Sequence, residues 1–295
     1  MQDQGHRETG SVPLWAGLTA DEHEFQYNPQ RSVQDFKQFQ ARREGPNAAA
    51  KARLRCFADQ TYGEHPLRKL DIYPAALSGA PVHMFFHGGY WRAQDKQNFA
   101  FVAAPLVDAG ITAVIVNYEL CPASTLDGVV DSAVAATDWT LRNIARHGGD
   151  PARLTLSGHS AGAHLGAAIL ATDWPARGLS ADAIKGAVLI SGIYDPAPAE
   201  RTSVNAEIGL TPALIARHDY ERRPLKVSCP AWIIAGGREP WHWIDQSFRY
   251  AHHLRRHGGD PGVTVSPGYH HFDIMDQYRD PGSDVLRPVL ALATR

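Results

Sequence analysis

The chain has 295 residues, 44% of them hydrophobic and 20% charged, with a formal net charge of -2, a composition expected of one large globular domain or a core with a small lid. Balanced charge without a long basic run gives nucleic acid or an anionic membrane no electrostatic footprint, and no apolar stretch approaches the roughly 18 residues of a membrane span. Three scattered cysteines, Cys56, Cys121 and Cys229, without Cys-x-x-Cys spacing, and a polar stretch at 1–10 lacking the apolar core of a secretory signal, predict a cytoplasmic protein with reduced thiols.

Residues 1–55 are polar and helix-leaning, and predict an N-terminal helical arm or cap on a main domain spanning 56–295. Phe36 and Phe39 lie three apart, so one helical face can dock on the body or help roof a pocket. Tyr27-Asn-Pro-Gln reads as a turn between two such helices. Strand patterns then recur at 68–73, 82–86, 112–118, 153–157, 186–190, 231–235 and 263–266, with Thr-Ala-Val-Ile-Val-Asn-Tyr at 112–118 the clearest buried strand. Helical patterns lie between them at 98–109, 126–146, 163–172 and 244–256. This alternation predicts an α/β fold, a mostly parallel central sheet flanked by helices. The phrase Arg-His-Gly-Gly-Asp-Pro occurs twice, from Arg146 and from Arg256. Each copy follows a helix and precedes a strand, so glycine is expected at the helix C-cap, with His147 and His257 as capping residues. Residues 195–230 exceed the needs of an ordinary crossover and predict a lid, in which Thr211-Pro212 starts a helix.

The chemistry centres on Gly158-His-Ser-Ala-Gly, set between the strand at 153–157 and an Ala-rich helix. Strand, Gly-x-Ser-x-Gly, helix is the context of a nucleophile elbow, whose tight turn exposes the serine and demands small neighbours. Ser160 needs a base, and the base an orienting acid, arriving in the order Ser, acid, His. Glu239 follows the strand at 231–235 and is the first candidate acid; Asp245 is second, and Asp273 reads as a local cap. His270 and His271 both follow the last strand. His271 is favoured as base because Phe272 can anchor the next helix, with His270 as the alternative. His87-Gly-Gly-Tyr-Trp follows the strand at 82–86 and supplies backbone donors for an oxyanion from Gly88, Gly89 or Tyr90, completed by the N–H of Ala161. Tyr90 and Trp91 are expected to wall the acyl or leaving-group pocket. No third ligand stands near the His pair at metal-binding spacing, so neither a metal nor another cofactor is assigned; His252-His253 reads as solvated surface.

At these residues the chain resembles the α/β-hydrolases of the hormone-sensitive-lipase-like branch, and more narrowly the kynurenine formamidase (arylformamidase) family. Four stretches carry the likeness: His87-Gly-Gly-Tyr-Trp, Asn117-Tyr-Glu-Leu-Cys-Pro, Gly158-His-Ser-Ala-Gly-Ala-His-Leu and His271-Phe-Asp-Ile. The resemblance covers roughly residues 65–280. It implies a serine hydrolase, with Ser160 as nucleophile and His271 as base, cleaving an aryl formamide such as N-formyl-L-kynurenine to formate and the aromatic amine. The family's usual acid is aspartate where this chain has Glu239. Tyr90, Trp91, His159, Trp241 and Trp243 are candidates for contacts with the substrate. The partner implied is a small molecule; the sequence leaves the oligomeric state open, a homodimer included. The nearest rival is a carboxylesterase for short-acyl esters, or a related amide or carbamate hydrolase. A non-catalytic binding protein on the same scaffold would lack a triad member, and here all three positions are filled.

Overall fold

A computed structural model describes residues 13–295; the signal-peptide reading at 1–10 lies outside the described residues. Eight strands form one sheet: β1 (Phe57–Thr61), β2 (Lys69–Tyr73), β3 (Ala80–Phe86), β4 (Thr112–Val116), β5 (Gly149–His159), β6 (Gly186–Ile190), β7 (Ala231–Gly236) and β8 (Pro261–Ser266). Their order is β1-β2-β4-β3-β5-β6-β7-β8. The β1–β2 and β2–β4 pairs are antiparallel and all others parallel. Every residue of β4 and β6 is buried, as expected for parallel strands covered on both faces. The alternation along β3 divides the core. Met84 and Phe86 face α6 (Leu126–Asn143) and α7 (Ala161–Leu170), while Phe85 faces α5 (Ala100–Asp108) and α11 (Leu286–Ala293); these are the α labels of chain order, the first four belonging to the arm.

Those four are α1 (Ala20–Tyr27), α2 (Pro29–Ser32), α3 (Phe36–Ala41) and α4 (Glu44–Arg53). Thr19 and Glu22 form a reciprocal capping box on α1, satisfying donors that the first turn leaves free. Asn28 both ends α1 and caps α2 through its side chain, the physical content of the turn expected there. Between β6 and β7 come the short helices α8 (Asn205–Ile208) and α9 (Pro212–His218), the latter capped by Thr211 onto the Leu214 N–H. Helix α10 (Trp241–Arg256) then runs from β7 to β8. Gly148 and Gly258, in the repeated phrase, adopt φ of +84° and +81°. His257 caps α10, its Nδ1–H donating to the His253 carbonyl at 2.9 Å. Contrary to the surface reading, His253 is buried and its Nε2–H donates to the Arg223 carbonyl. Among the described residues no helix is long and apolar enough to cross a membrane.

Strand β1 had no counterpart in the sequence patterns. No residue of it is fully buried and its burial does not alternate, so the period-2 pattern of a strand with one covered face is missing. Its charged and polar residues follow the same logic.

Candidate active site

Strand β5 ends at His159 and α7 begins at Ala161, so the whole reversal falls on Ser160. Its φ of +57° with ψ of -119° is a conformation L-residues rarely adopt and which persists only where the surroundings enforce it. They do so by close approach. A Cβ on Gly158 would lie 2.1 Å from the Gly162 carbonyl oxygen, and one on Gly162 would lie 2.0 Å from that of Phe86. The Ser160 N–H donates to the Ile190 carbonyl at 2.8 Å, tying the turn to the neighbouring strand.

The Ser160 hydroxyl donates to His271 Nε2 at 2.9 Å, and His271 Nδ1–H donates to Glu239 Oε1 at 2.6 Å. All three side chains are buried. Glu239 comes from the turn after β7 and His271 from the turn after β8. Glu239 Oε2 accepts from the Gly236 N–H at 2.7 Å and from the Ser191 hydroxyl at 3.0 Å. Three donors and no acceptor therefore converge on this carboxylate, favouring its ionised form against a burial that pushes its pKa up. Burial, seconded by the charges of His270 and Arg43, lowers the His271 pKa, so the imidazole is neutral at pH 7 with its lone pair on Nε2 toward the serine. Asp245 instead lies in α10 and pairs with Arg249, pointing away from the site. Asp273 accepts from the His270 N–H at 2.6 Å, a local cap. The His270 ring packs edge-on against Phe39 of the arm, centroids 4.4 Å apart.

The loop after β3 lies over the serine. A Cβ on Gly88 would fall 2.8 Å from His159 Nδ1 and 3.1 Å from Ser160 Cβ, so only glycine permits this approach. Gly89 takes φ of +121°, where a Cβ would meet the Ala93 carbonyl. Among the described residues, the N–H groups of Gly88 and Gly89 have no backbone acceptor, and the Ala161 N–H belongs to the first helical residue of α7, where donors lack intrahelical partners. The loop is held from behind. His87 is stacked between Tyr118 and Phe99, at 4.4 and 5.6 Å, and the Tyr118 hydroxyl donates to the His87 carbonyl at 2.6 Å. Asn117 Oδ1 accepts from the Lys96 N–H at 2.6 Å.

The pocket at Ser160 is lined by the glycine loop, by Tyr90, Phe99, His159, His271 and Phe272, and by Pro29, Gln30, Gln40 and Arg43 of the arm. Of the proposed substrate contacts, Tyr90 and His159 line it. Three others do not, which corrects the expectation. Trp91 is fully buried and meets His164 edge-on. Trp241 is 78% exposed at the start of α10. Trp243 is buried against the back of the base, its ring 4.8 Å from His271 at 82° and its Nε1–H donating to the Ser191 carbonyl. Trp243 and Trp241 differ by two helical positions, about 200° of rotation, so one points inward and the other out. His159 also donates from Nε2 to the His271 carbonyl at 2.8 Å, fixing the backbone of the base.

The insertion at 195–230 supplies no residue to this pocket, a second correction. It props the arm instead: His23 Nε2–H donates to the Pro198 carbonyl, and Glu24 accepts from the Ser203 N–H and hydroxyl. Tyr90 links the two layers, its hydroxyl donating to the Tyr27 carbonyl at 2.9 Å. Ser191 and Arg43 are among the residues of the site that carried no sequence signal. Ser191, at φ of +50°, sits in an unremarkable Ser-Gly turn, and Arg43 is one of several arginines in a polar arm; neither belongs to a spaced pattern. Among the described residues no group of three or more His, Cys, Asp or Glu could hold a metal ion.

A family model described as the alpha/beta hydrolase fold matches residues 83–274. The kynurenine formamidase of Danio rerio is 32% identical over 279 residues, covering 90% of this chain and 94% of that protein. The kynurenine formamidase of Drosophila melanogaster is 30% identical, covering 70% of this chain and 71% of its own length. Among solved structures, a putative thioesterase from Silicibacter sp. TM1040 superposes with a TM-score of 0.78 at 23% identity, covering 93% of this chain and 99% of that one, a likeness of fold.

Proposed function

Because the chain belongs to the α/β-hydrolase family, in the company of the kynurenine formamidases, we propose that it is a serine hydrolase that cleaves an aryl formamide such as N-formyl-L-kynurenine. The observation that carries this reading is the continuous chain from Ser160 through His271 to Glu239, opening on a pocket shared by the glycine loop and the arm. Ser160 Oγ attacks the formyl carbon while His271 Nε2 takes the hydroxyl proton. Glu239 holds the imidazole in the required tautomer and stabilises the imidazolium that forms. Charge developing on the formyl oxygen meets the N–H groups of Gly88 or Gly89 and of Ala161. The C–N bond then breaks as His271 returns the proton to the leaving nitrogen, and the aromatic amine departs. A water molecule, deprotonated by the same imidazole, attacks the formyl-serine ester and releases formate.

None of these steps calls on a metal or other cofactor. Three free thiols, Cys56, Cys121 and Cys229, suit a reducing compartment, and we place the protein in the cytoplasm. The test compares kcat/KM for N-formyl-L-kynurenine and 4-nitrophenyl acetate in wild type and Ser160→Ala. Strong preference for the formamide, abolished in Ser160→Ala, supports the reading. Turnover of the ester alone moves the protein to the carboxylesterases with the same triad, and undiminished activity in Ser160→Ala removes the mechanism.

A further inference from the structure

We propose that Arg43, carried by the N-terminal arm, reads a carboxylate on the leaving group, so that the preferred substrate is an acyl compound whose leaving group bears a carboxylate. The proposal rests on the hydrolase reading above and refines its substrate class. Arg43 is the one arginine or lysine among the residues lining the Ser160 pocket, and no Asp or Glu lines it. The side chain is buried, its residue 8% exposed, yet its donors are underused. One Nη2–H donates to the Phe272 carbonyl, while Nε is buried with no hydrogen-bond partner among the described residues. That Nε faces the nearest carboxylate oxygen, Asp276 Oδ1, at 4.0 Å, beyond hydrogen-bond reach. Burying a guanidinium with so little compensation is costly unless an anion joins it, and its planar fork matches a carboxylate.

The field of Arg43 reaches the chemistry, since its charge helps lower the pKa of both His271 and His159. Asp276 and Asp273 are the acids whose charges act on it, and neither lines the pocket. Gln40, in the last turn of α3, and Arg43, at the N-cap of α4, both line the pocket, so an amide accompanies the guanidinium there. An acyl compound whose leaving group ends in a carboxylate would place its scissile carbon at Ser160 and its charge at Arg43. Selectivity for an anionic leaving group then resides in the arm, outside the sheet that carries the triad.

The test is a cycle of two enzymes and two substrates. 4-(2-Formamidophenyl)-4-oxobutanoate, which is N-formyl-L-kynurenine without its α-amino group, is compared with 2-formamidoacetophenone, which keeps the aryl formamide and ring ketone but lacks the carboxylate. The quantity read is the ratio of their kcat/KM values in wild type and in Arg43→Gln, which isolates the carboxylate interaction from any general effect on the base. The expected result is a fall of the ratio by about ten- to a hundredfold, mostly through KM, with partial recovery in Arg43→Lys. A ratio unchanged, with both substrates losing equally, overturns the proposal and leaves Arg43 as a support for the Phe272 backbone. If Arg43→Gln does not fold, Asp276→Asn reads the same field: withdrawing the competing acid should raise the ratio severalfold, and an unchanged ratio counts against the proposal. If the wild type turns over neither formamide, the formamidase reading falls on its own. The same ratio is then measured with 4-nitrophenyl acetate and its ring-carboxylated analogue, and the proposal stands or falls on it.

Discussion

Replacing Glu239 by Gln tests the triad at its acid. In the structure, Glu239 Oε2 takes both the Gly236 N–H and the Ser191 hydroxyl, while Oε1 faces His271 Nδ1 alone. A glutamine must keep its carbonyl oxygen where the two donors are, because an NH2 there would face a backbone N–H at 2.7 Å. Its NH2 therefore turns to His271 and can only donate. The imidazole responds by moving its proton from Nδ1 to Nε2, where it points at the Ser160 hydroxyl and cannot accept that proton. A wrong-tautomer histidine costs up to ~10⁴ in kcat, or about 5.5 kcal/mol, and we expect a loss of roughly 10³ to 10⁴. All three hydrogen bonds around the side chain survive the change in altered polarity, and a buried charge is removed, so the melting temperature should fall little. Steady-state kinetics from pH 5 to 10 beside a thermal melt provides the assay. A folded Glu239→Gln enzyme with kcat within tenfold of wild type would refute the assignment of Glu239 as the orienting acid.

Gly88→Ala should lower kcat by about 10² to 10³, the cost of one displaced oxyanion donor, since its Cβ would press on Ser160 Cβ and His159; a rate near wild type would remove Gly88 from the hole. Trp241→Ala, at a residue 78% exposed, should leave kcat/KM and stability unchanged within about 0.5 kcal/mol, whereas Trp243→Ala should cost about 3–5 kcal/mol of stability, and equal effects in the two variants would contradict their opposite burial. Burial depresses the pKa of His83 and His164 from 6.5 to about 3. In both cases the native state binds fewer protons than the unfolded chain, so their contribution is complete above pH 6.5 and is lost as pH falls toward 3. At pH 5 each withholds about 2 kcal/mol, and chemical denaturation from pH 8 to 4 should show stability dropping below pH 6.5; a flat profile would mean that these histidines ionise freely.

Features that depend on near neighbours along the chain were legible in the residues alone. Gly158 and Gly162 are spaced for the elbow, Gly88 and Gly89 directly follow a buried strand, and the 2- and 3.6-residue periods alternate in the order of a parallel sheet. These features are local because a tight turn or a close backbone approach is made within a few residues. Where long loops bring distant side chains emerged from the folded molecule. Two adjacent histidines follow β8, and sequence spacing cannot state which one turns inward; His271 does so because His159, 112 positions away, holds its carbonyl. Ser191 joins Glu239 across 48 residues from a turn with no pattern of its own. The arm, rather than the long insertion, meets the pocket because Tyr27 reaches Tyr90 and the insertion braces α1 from outside. Trp241 and Trp243 parted company through helix phase, which depends on where α10 begins. Such contacts close loops of tens to hundreds of residues, and loop closure leaves no periodic trace in composition.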